Sequence, residues 1–209
     1  MSVVHHRRES RPAAPAAEAG SASLGSGSPV VEAAGRRQAA AARRAVATLR
    51  IAFGFTFLWA FFDKLLALGY ATGVDPQGHV DRFGDAAWIH GGSPTQGFLA
   101  FGADGPLDSF YHSIAGDAWA DWLFMLGLLG VGVTMTLGAG MRLGAAAGAL
   151  MYVLMWSVVL PPQNNPIIDE HILGAISLVT LVLLNAGNAW GLGRWWRSTA
   201  LVRKYPVLT

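Results

Sequence analysis

The sequence predicts an all-α protein: an integral membrane four-helix bundle with short interfacial helices in the outer loop between spans one and two. Three observations predict it. Of 209 residues, 53% are hydrophobic and only 13% charged, roughly half the charged share of a soluble domain. The apolar residues gather into four stretches long enough to cross a bilayer. The arginines stand mostly at the ends of those stretches, as membrane topology requires, so the basic balance points to lipid and not to nucleic acid. Buried core helices of a soluble protein are the alternative, but they would leave no amphipathic helix to face water.

Residues 1–43 read as a disordered cytoplasmic tail, rich in Pro, Ala, Gly and Ser, with little to bury. No apolar core follows the early arginines, so no signal peptide is predicted. The membrane domain covers 44–190, with spans at about 45–68, 119–138, 143–160 and 167–184. The outer loop covers 69–118, and residues 191–209 form a cytoplasmic C-terminal tail. Orientation follows from the cations. Arg36, Arg37, Arg43 and Arg44 precede span one, Arg142 stands in the turn between spans two and three, and Arg194, Arg197, Arg203 and Lys204 follow span four. The loop 69–118 instead carries Asp75, Asp81, Asp85, Asp104, Asp108 and Asp117 against a single Arg82. Both termini are therefore expected in the cytoplasm of a multi-pass cell-membrane protein. Trp190, Trp195 and Trp196 suit the inner interfacial belt, and Trp88, Trp119, Trp122 and Trp156 the outer one.

Spans two and three are rich in small residues: Gly132, and Gly144 and Gly148 four apart. These read as close helix packing or, more sharply, as a glycine-lined ligand passage. In the loop, "GGSPTQGFLAFG" has Ser93 as N-cap, Pro94 at the first helical position and Gly102 as a stop. "GPLDSFYHSIAG" reads as a second short helix. Phe98, Phe101, Phe110 and Tyr111 give these two pieces an apolar face suited to the interface.

The charged residues inside the spans are the candidates for chemistry. Asp63 and Lys64, Asp121, and Asp169, Glu170 and His171 all fall at the outer end by helical rise. Ionisable groups in a membrane usually face the bundle and pair. Arg50, Gly54, Phe57, Phe61 and Lys64 share one stripe of span one, and Glu170 shares a face with Gly174 and Ser177. Lys64 and Glu170 are thus the expected ion pair, within a structural polar cluster of Arg50, Asp63, Asp121, Asn164, Asn165 and Asp169. Each site has a plainer reading. Arg50 snorkels or pairs with a helix end, Asp121 sits at the positive end of a helix dipole, and Asp169 is an end residue in water. His171 is the only histidine in a span, and His79, His90 and His112 are scattered through the loop without ligand spacing, so no metal site is predicted. The chain has no cysteine, which excludes disulfides, thiolate nucleophiles, iron–sulfur clusters and c-type haem attachment.

The segments "RIAFGFTFLWAFFDKL", "WIHGGSPTQGFL", "MWSVVLPPQNNPIIDEHI" and "GLGRWWRSTALVRKYPVL" resemble the DoxX family of small four-helix membrane proteins, from about Arg44 onward. The family's first-span pattern is met by Arg50, Gly54, Phe57, Lys64 and Leu65. The family is related to DoxD, the membrane subunit of thiosulfate:quinone oxidoreductase. The resemblance implies a quinone-linked oxidoreductase subunit that works with a second subunit or a soluble redox enzyme. Its cofactor would be a quinone, menaquinone or ubiquinone, and none would be covalent. Phe61 and Trp156 would then contact the quinone, with Phe62 beside them, and Glu170 or His171 would exchange protons with its oxygens. Lys64 would stabilise a partly reduced quinone or an anionic sulfur substrate. The alternative is a non-enzymatic membrane scaffold or accessory protein that docks redox enzymes, with the polar cluster fixing helix register. A transporter is a third reading, against which four spans are few and no inverted repeat is visible.

Overall fold

The computed structural model describes residues 29–163 and 165–208. Residues 1–28 of the expected tail, Asn164 of the expected polar cluster and Thr209 lie outside the described residues. The chain divides into two units, Met1–Arg37 and Gln38–Thr209. Of the first, residues 29–37 form the opening turns of helix α1 (Pro29–Leu66). The helix begins there, within the stretch expected to be disordered to residue 43, because local signals favour it. Pro29 supplies the preset φ of a first helical residue, Glu32 stands in the first turn, alanines follow, and Glu32 pairs with Arg36 at 3.6 Å.

In the second unit, every regular element among the described residues is helical, apart from one isolated bridge between Val74 and Val80. The loop after α1 carries a short 3₁₀ turn at Trp88–His90, then α2 (Gln96–Phe101) and α3 (Asp108–Ile114). These two helices occupy the glycine-bounded stretches singled out above. The N-cap position of α2 is Thr95 and not Ser93. Ser93 still serves the helix, since its Oγ accepts the Gln96 N–H at 3.0 Å. α2 and α3 close over Leu99, Ala103, Tyr111 and Val158.

α4 (Ala118–Leu137) and α5 (Met141–Val158) are joined by a three-residue turn. Its reversal depends on Gly138 and Gly140, both left-handed at φ 70° and 67°, a conformation that costs glycine no clash. α6 (Glu170–Leu183) is N-capped by Asp169, whose carboxylate accepts the His171 and Ile172 N–H groups. The short helices α7 (Gly193–Ser198) and α8 (Ala200–Lys204) follow.

Three helices, α1, α4 and α5, are long and apolar enough to cross a membrane. α6 is apolar but has 14 residues, about 21 Å at 1.5 Å per residue, against the span expected at 167–184. Pro166 and the Asp169 cap delay its start.

One buried cluster joins these helices: Phe57 and Phe61 of α1, Met125, Leu128, Val131 and Met135 of α4, Ala145 of α5, and Leu178 and Leu181 of α6. Small residues let the helices approach. A Cβ on Gly54 would lie 2.5 Å from the Thr136 backbone nitrogen, and one on Gly148 would lie 2.6 Å from Leu178 Cδ1. Gly132, Gly144 and Gly148 therefore serve helix packing, against Leu58, Thr134 and Leu178 in turn. The outward faces are apolar as well: Phe55, Leu123, Leu126, Leu150, Ile176 and Val179 are all exposed.

Candidate functional site

The charged residues of the helices separate into local anchors and one cation at a cavity. Arg50 is fully buried. Its guanidinium donates to the carbonyls of Met135 and Thr136, at the end of α4, and to those of Ala189 and Trp190. The last-turn carbonyls of a helix have no intrahelical donor, and the five-donor planar head of arginine suits them. Of the two readings for Arg50, the structure shows the helix end and not the snorkel. Its Nε has no hydrogen-bond partner among the described residues.

Asp63 is 2% exposed and accepts the Tyr70 and Ala71 N–H groups at 3.3 and 3.0 Å. It folds the chain back over the end of α1, which turns at Ala67 with φ 51°. Asp121, in the first turn of α4, accepts the Ser93 hydroxyl at 2.8 Å and the Thr95 hydroxyl and N–H at 2.6 and 3.1 Å. It pins the start of α2 to α4. Asn165 is exposed and accepts the Ile167 and Ile168 N–H groups within its own turn. Asp169 accepts His171 Nδ1 at 2.7 Å besides capping α6. The expected single polar cluster is thus several independent anchors, each carboxylate spent on neighbouring backbone or hydroxyl donors. Arg50 lies at the opposite end of the helices from the three aspartates.

The expected Lys64–Glu170 pair does not form. Glu170 is exposed on the first turn of α6 and makes no ion pair among the described residues. The reason is packing. Gly174, one turn further on, lies against the Tyr152 ring, and that ring packs edge-on against Phe57 at 5.4 Å. Tyr152 of α5 therefore fills the space between α1 and α6 that the pair would need. His171 is better buried than Glu170, at 12% side-chain exposure, with its ring 6.2 Å from that of Tyr152. Asp169, Glu170 and His171 offer ligand atoms within 4.8 Å of one another, but both Asp169 oxygens already accept hydrogen bonds. The loop histidines are held locally. His79 binds Asp75, His90 the Gly84 carbonyl and His112 the Ala103 carbonyl.

Lys64 lies on the wall of a cavity of about 340 Å³ between the end of α1, α2, α3, α4 and α5. Phe98, Leu99, Tyr111, Leu123, Met151 and Met155 line much of the rest, and Thr95 adds a hydroxyl. Lys64 donates no hydrogen bond and forms no ion pair among the described residues. Its Nζ lies 5.9 Å over the Phe124 ring. An ammonium at an apolar wall is costly unless a ligand or water meets it.

The residues expected to contact a quinone stand elsewhere. Phe61 belongs to the buried cluster and meets Phe62 edge-on, while Trp156 donates its indole N–H to the Ile167 carbonyl. Neither lines the Lys64 cavity. Glu170 and His171 line a second hollow with Asp104, Asp169 and Phe101. Sequence reasoning missed Thr95, Phe124, Met151 and Met155 as wall residues. The aromatic face of α2 and α3 was the available signal, since Phe98 and Tyr111 carry it. No family model, no curated protein and no solved structure matches the chain.

Proposed function

We propose that this chain is a four-helix integral membrane protein of DoxX-like kind, whose Lys64 cavity binds the ring of a lipid-soluble quinone as a subunit of a thiosulfate:quinone-type oxidoreductase. One observation carries the reading: an ammonium without a hydrogen-bond partner faces an apolar, aromatic- and methionine-walled cavity. Such a site offers a donor and a positive charge to a carbonyl-bearing ring. The volume, about 340 Å³, lies near the lower end of small-molecule sites, enough for a ring with its isoprenoid tail left in lipid. The bound quinone would supply two-electron, two-proton redox chemistry. Lys64 would orient one of its oxygens and favour negative charge there. Thr95, with its hydroxyl committed to Asp121, would hold its part of the wall fixed, and Met151 and Met155 would adapt to the ring faces. Purified chain in mild detergent should bind added menaquinone saturably, read by quenching of tryptophan fluorescence. Absence of saturable binding would refute the proposal.

Membrane embedding is supported by the apolar residues on the outward faces of α1, α4, α5 and α6. In the proposed orientation the end bearing Arg142 and the C-terminal cations is cytoplasmic. α2 and α3 lie in the outer interface. The chain has no cysteine, so Gln77→Cys and Ser198→Cys give single labelling sites. They should react from opposite sides of sealed vesicles, and labelling of both from one side would overturn the topology.

The accessory-scaffold reading is favoured by a different observation: Asp63 and Asp121 are committed to anchoring loops, and Asp169 to capping α6. Under that reading Lys64→Met leaves partner binding intact. Loss of redox coupling with partner binding retained would exclude it.

A further inference from the structure

The opposite end of the helices carries a separate hollow, of about 280 Å³, between the start of α5, the end of α6 and α7. Its polar wall holds Arg142, Arg197, Asn185 and Asn188, and its apolar wall holds Val182 and Leu183, Leu183 being 74% exposed on the outward face of α6. We propose that this hollow binds the phosphate of an anionic phospholipid, with Arg142 and Arg197 as its two cationic contacts and the acyl chains descending along Leu183. The proposal rests on membrane embedding and is independent of what fills the Lys64 cavity.

Charge argues for it. No aspartate or glutamate occurs from residue 122 to 168 or after residue 170. Arg142, Arg194, Arg197, Arg203 and Lys204 form no ion pair among the described residues. Arg197 donates only to the side-chain oxygens of Asn185 and Asn188, and Arg142 only to the Pro206 carbonyl. Both guanidiniums are exposed and keep unused donors, and paired donors on planar heads suit a phosphate. The wall behind them is positive too. A Cβ on Gly138 would lie 3.0 Å from the Arg50 guanidinium, so a third, buried cation backs the hollow and offsets the negative end of α4. The N-terminus of α5, an 18-residue helix, presents its first N–H groups on the same side. Basic pockets between membrane helices are known to hold phospholipid head groups.

The test uses the full chain in detergent with phosphatidylglycerol or phosphatidylcholine added, bound lipid being counted by native mass spectrometry. Phosphatidylglycerol should be retained over phosphatidylcholine by roughly tenfold to thirtyfold, from about one surface-charge contribution per arginine. Arg142→Gln/Arg197→Gln should abolish that preference, whereas Arg203→Gln should keep it. Arg142→Gln alone should remove part of the preference without disturbing the Asn185–Asn188 turn, which keeps the test decisive if the double variant fails to fold. Equal retention of the two lipids, or an unchanged preference in Arg142→Gln, would overturn the proposal. Full displacement by excess inorganic phosphate would show a site for free anions and overturn the lipid assignment. A chain that stays monodisperse without detergent would refute membrane embedding itself, an outcome distinct from the lipid result.

Discussion

Replacing Arg50 by methionine tests whether this buried cation is a structural cap. The native guanidinium is fully buried and serves four carbonyls: Met135 and Thr136 at the end of α4, Ala189 and Trp190 in the segment before α7. Methionine keeps most of the stem volume but leaves those carbonyls without their charged donor. Charge-assisted hydrogen bonds contribute about 1.5–3 kcal/mol each, net of water. The guanidinium's own desolvation offsets much of that sum, so a loss of about 3–5 kcal/mol is expected, as for breaking other buried polar networks. For a domain of this size that is roughly 6–20 °C in melting temperature. Arg50→Lys keeps the charge but not the planar fork, and should lose about half as much. Thermal melts in detergent, followed by circular dichroism, give the answer. A melting temperature for Arg50→Met within about 2 °C of the native chain would refute the cap. A ligand role for Arg50 would instead leave stability unchanged and abolish activity.

Four further outcomes follow from the geometry. Lys64→Met should weaken menaquinone binding tenfold or more while the melting temperature holds or rises, because a half-buried cation without an ion-pair partner is replaced by an apolar side chain; titration and a melt on the same sample check both. Lys64→Met combined with Glu170→Gln should show strictly additive stability changes, within about 0.5 kcal/mol, because the two residues do not meet; a coupling energy above about 1 kcal/mol would place them in contact. Asp121→Ala should release the loop around Ser93 and Thr95 and cost about 2–4 kcal/mol, read as faster proteolysis there, whereas Asp121→Asn keeps an acceptor oxygen and should cost less. Gly54→Ala should destabilise by about 1–3 kcal/mol, since its methyl would press on the Thr136 backbone as well as on its hydroxyl; an unchanged melting temperature would show that α1 and α4 are further apart.

The helices themselves were largely legible. Spans expected at 119–138 and 143–160 appear as Ala118–Leu137 and Met141–Val158, because an uninterrupted apolar run and the Gly138–Gly140 turn leave few other options. The stripe Arg50, Gly54, Phe57, Phe61 proved to be buried in α1, since a 3.6-residue period fixes which side chains share a face. The start of α1 was less legible, because an Ala-rich, Pro-capped stretch looks like tail by composition and like helix by propensity. The partners of the charges could not be read. Asp121 meets Ser93 and Thr95 across a long loop, and Asp63 meets backbone N–H groups seven and eight residues on. Depth along a helix follows from counting residues, but the identity of a neighbour depends on how the connecting loop returns.

Asp63 and Lys64 show how two adjacent charges divide the work. Successive residues on a helix point about 100° apart, so one depth serves two faces. Asp63 turns toward the chain that leaves α1 and uses its oxygens on Tyr70 and Ala71. Lys64 turns toward the cavity and Phe124. A direct ion pair would have met both charges and turned part of the ammonium away from the cavity. The observed division leaves the ammonium's hydrogens available beside the cavity. That arrangement is poor as a structural cross-link and well suited to a ligand. The cation expected as half of an internal pair is thus the one on which the proposed quinone site rests.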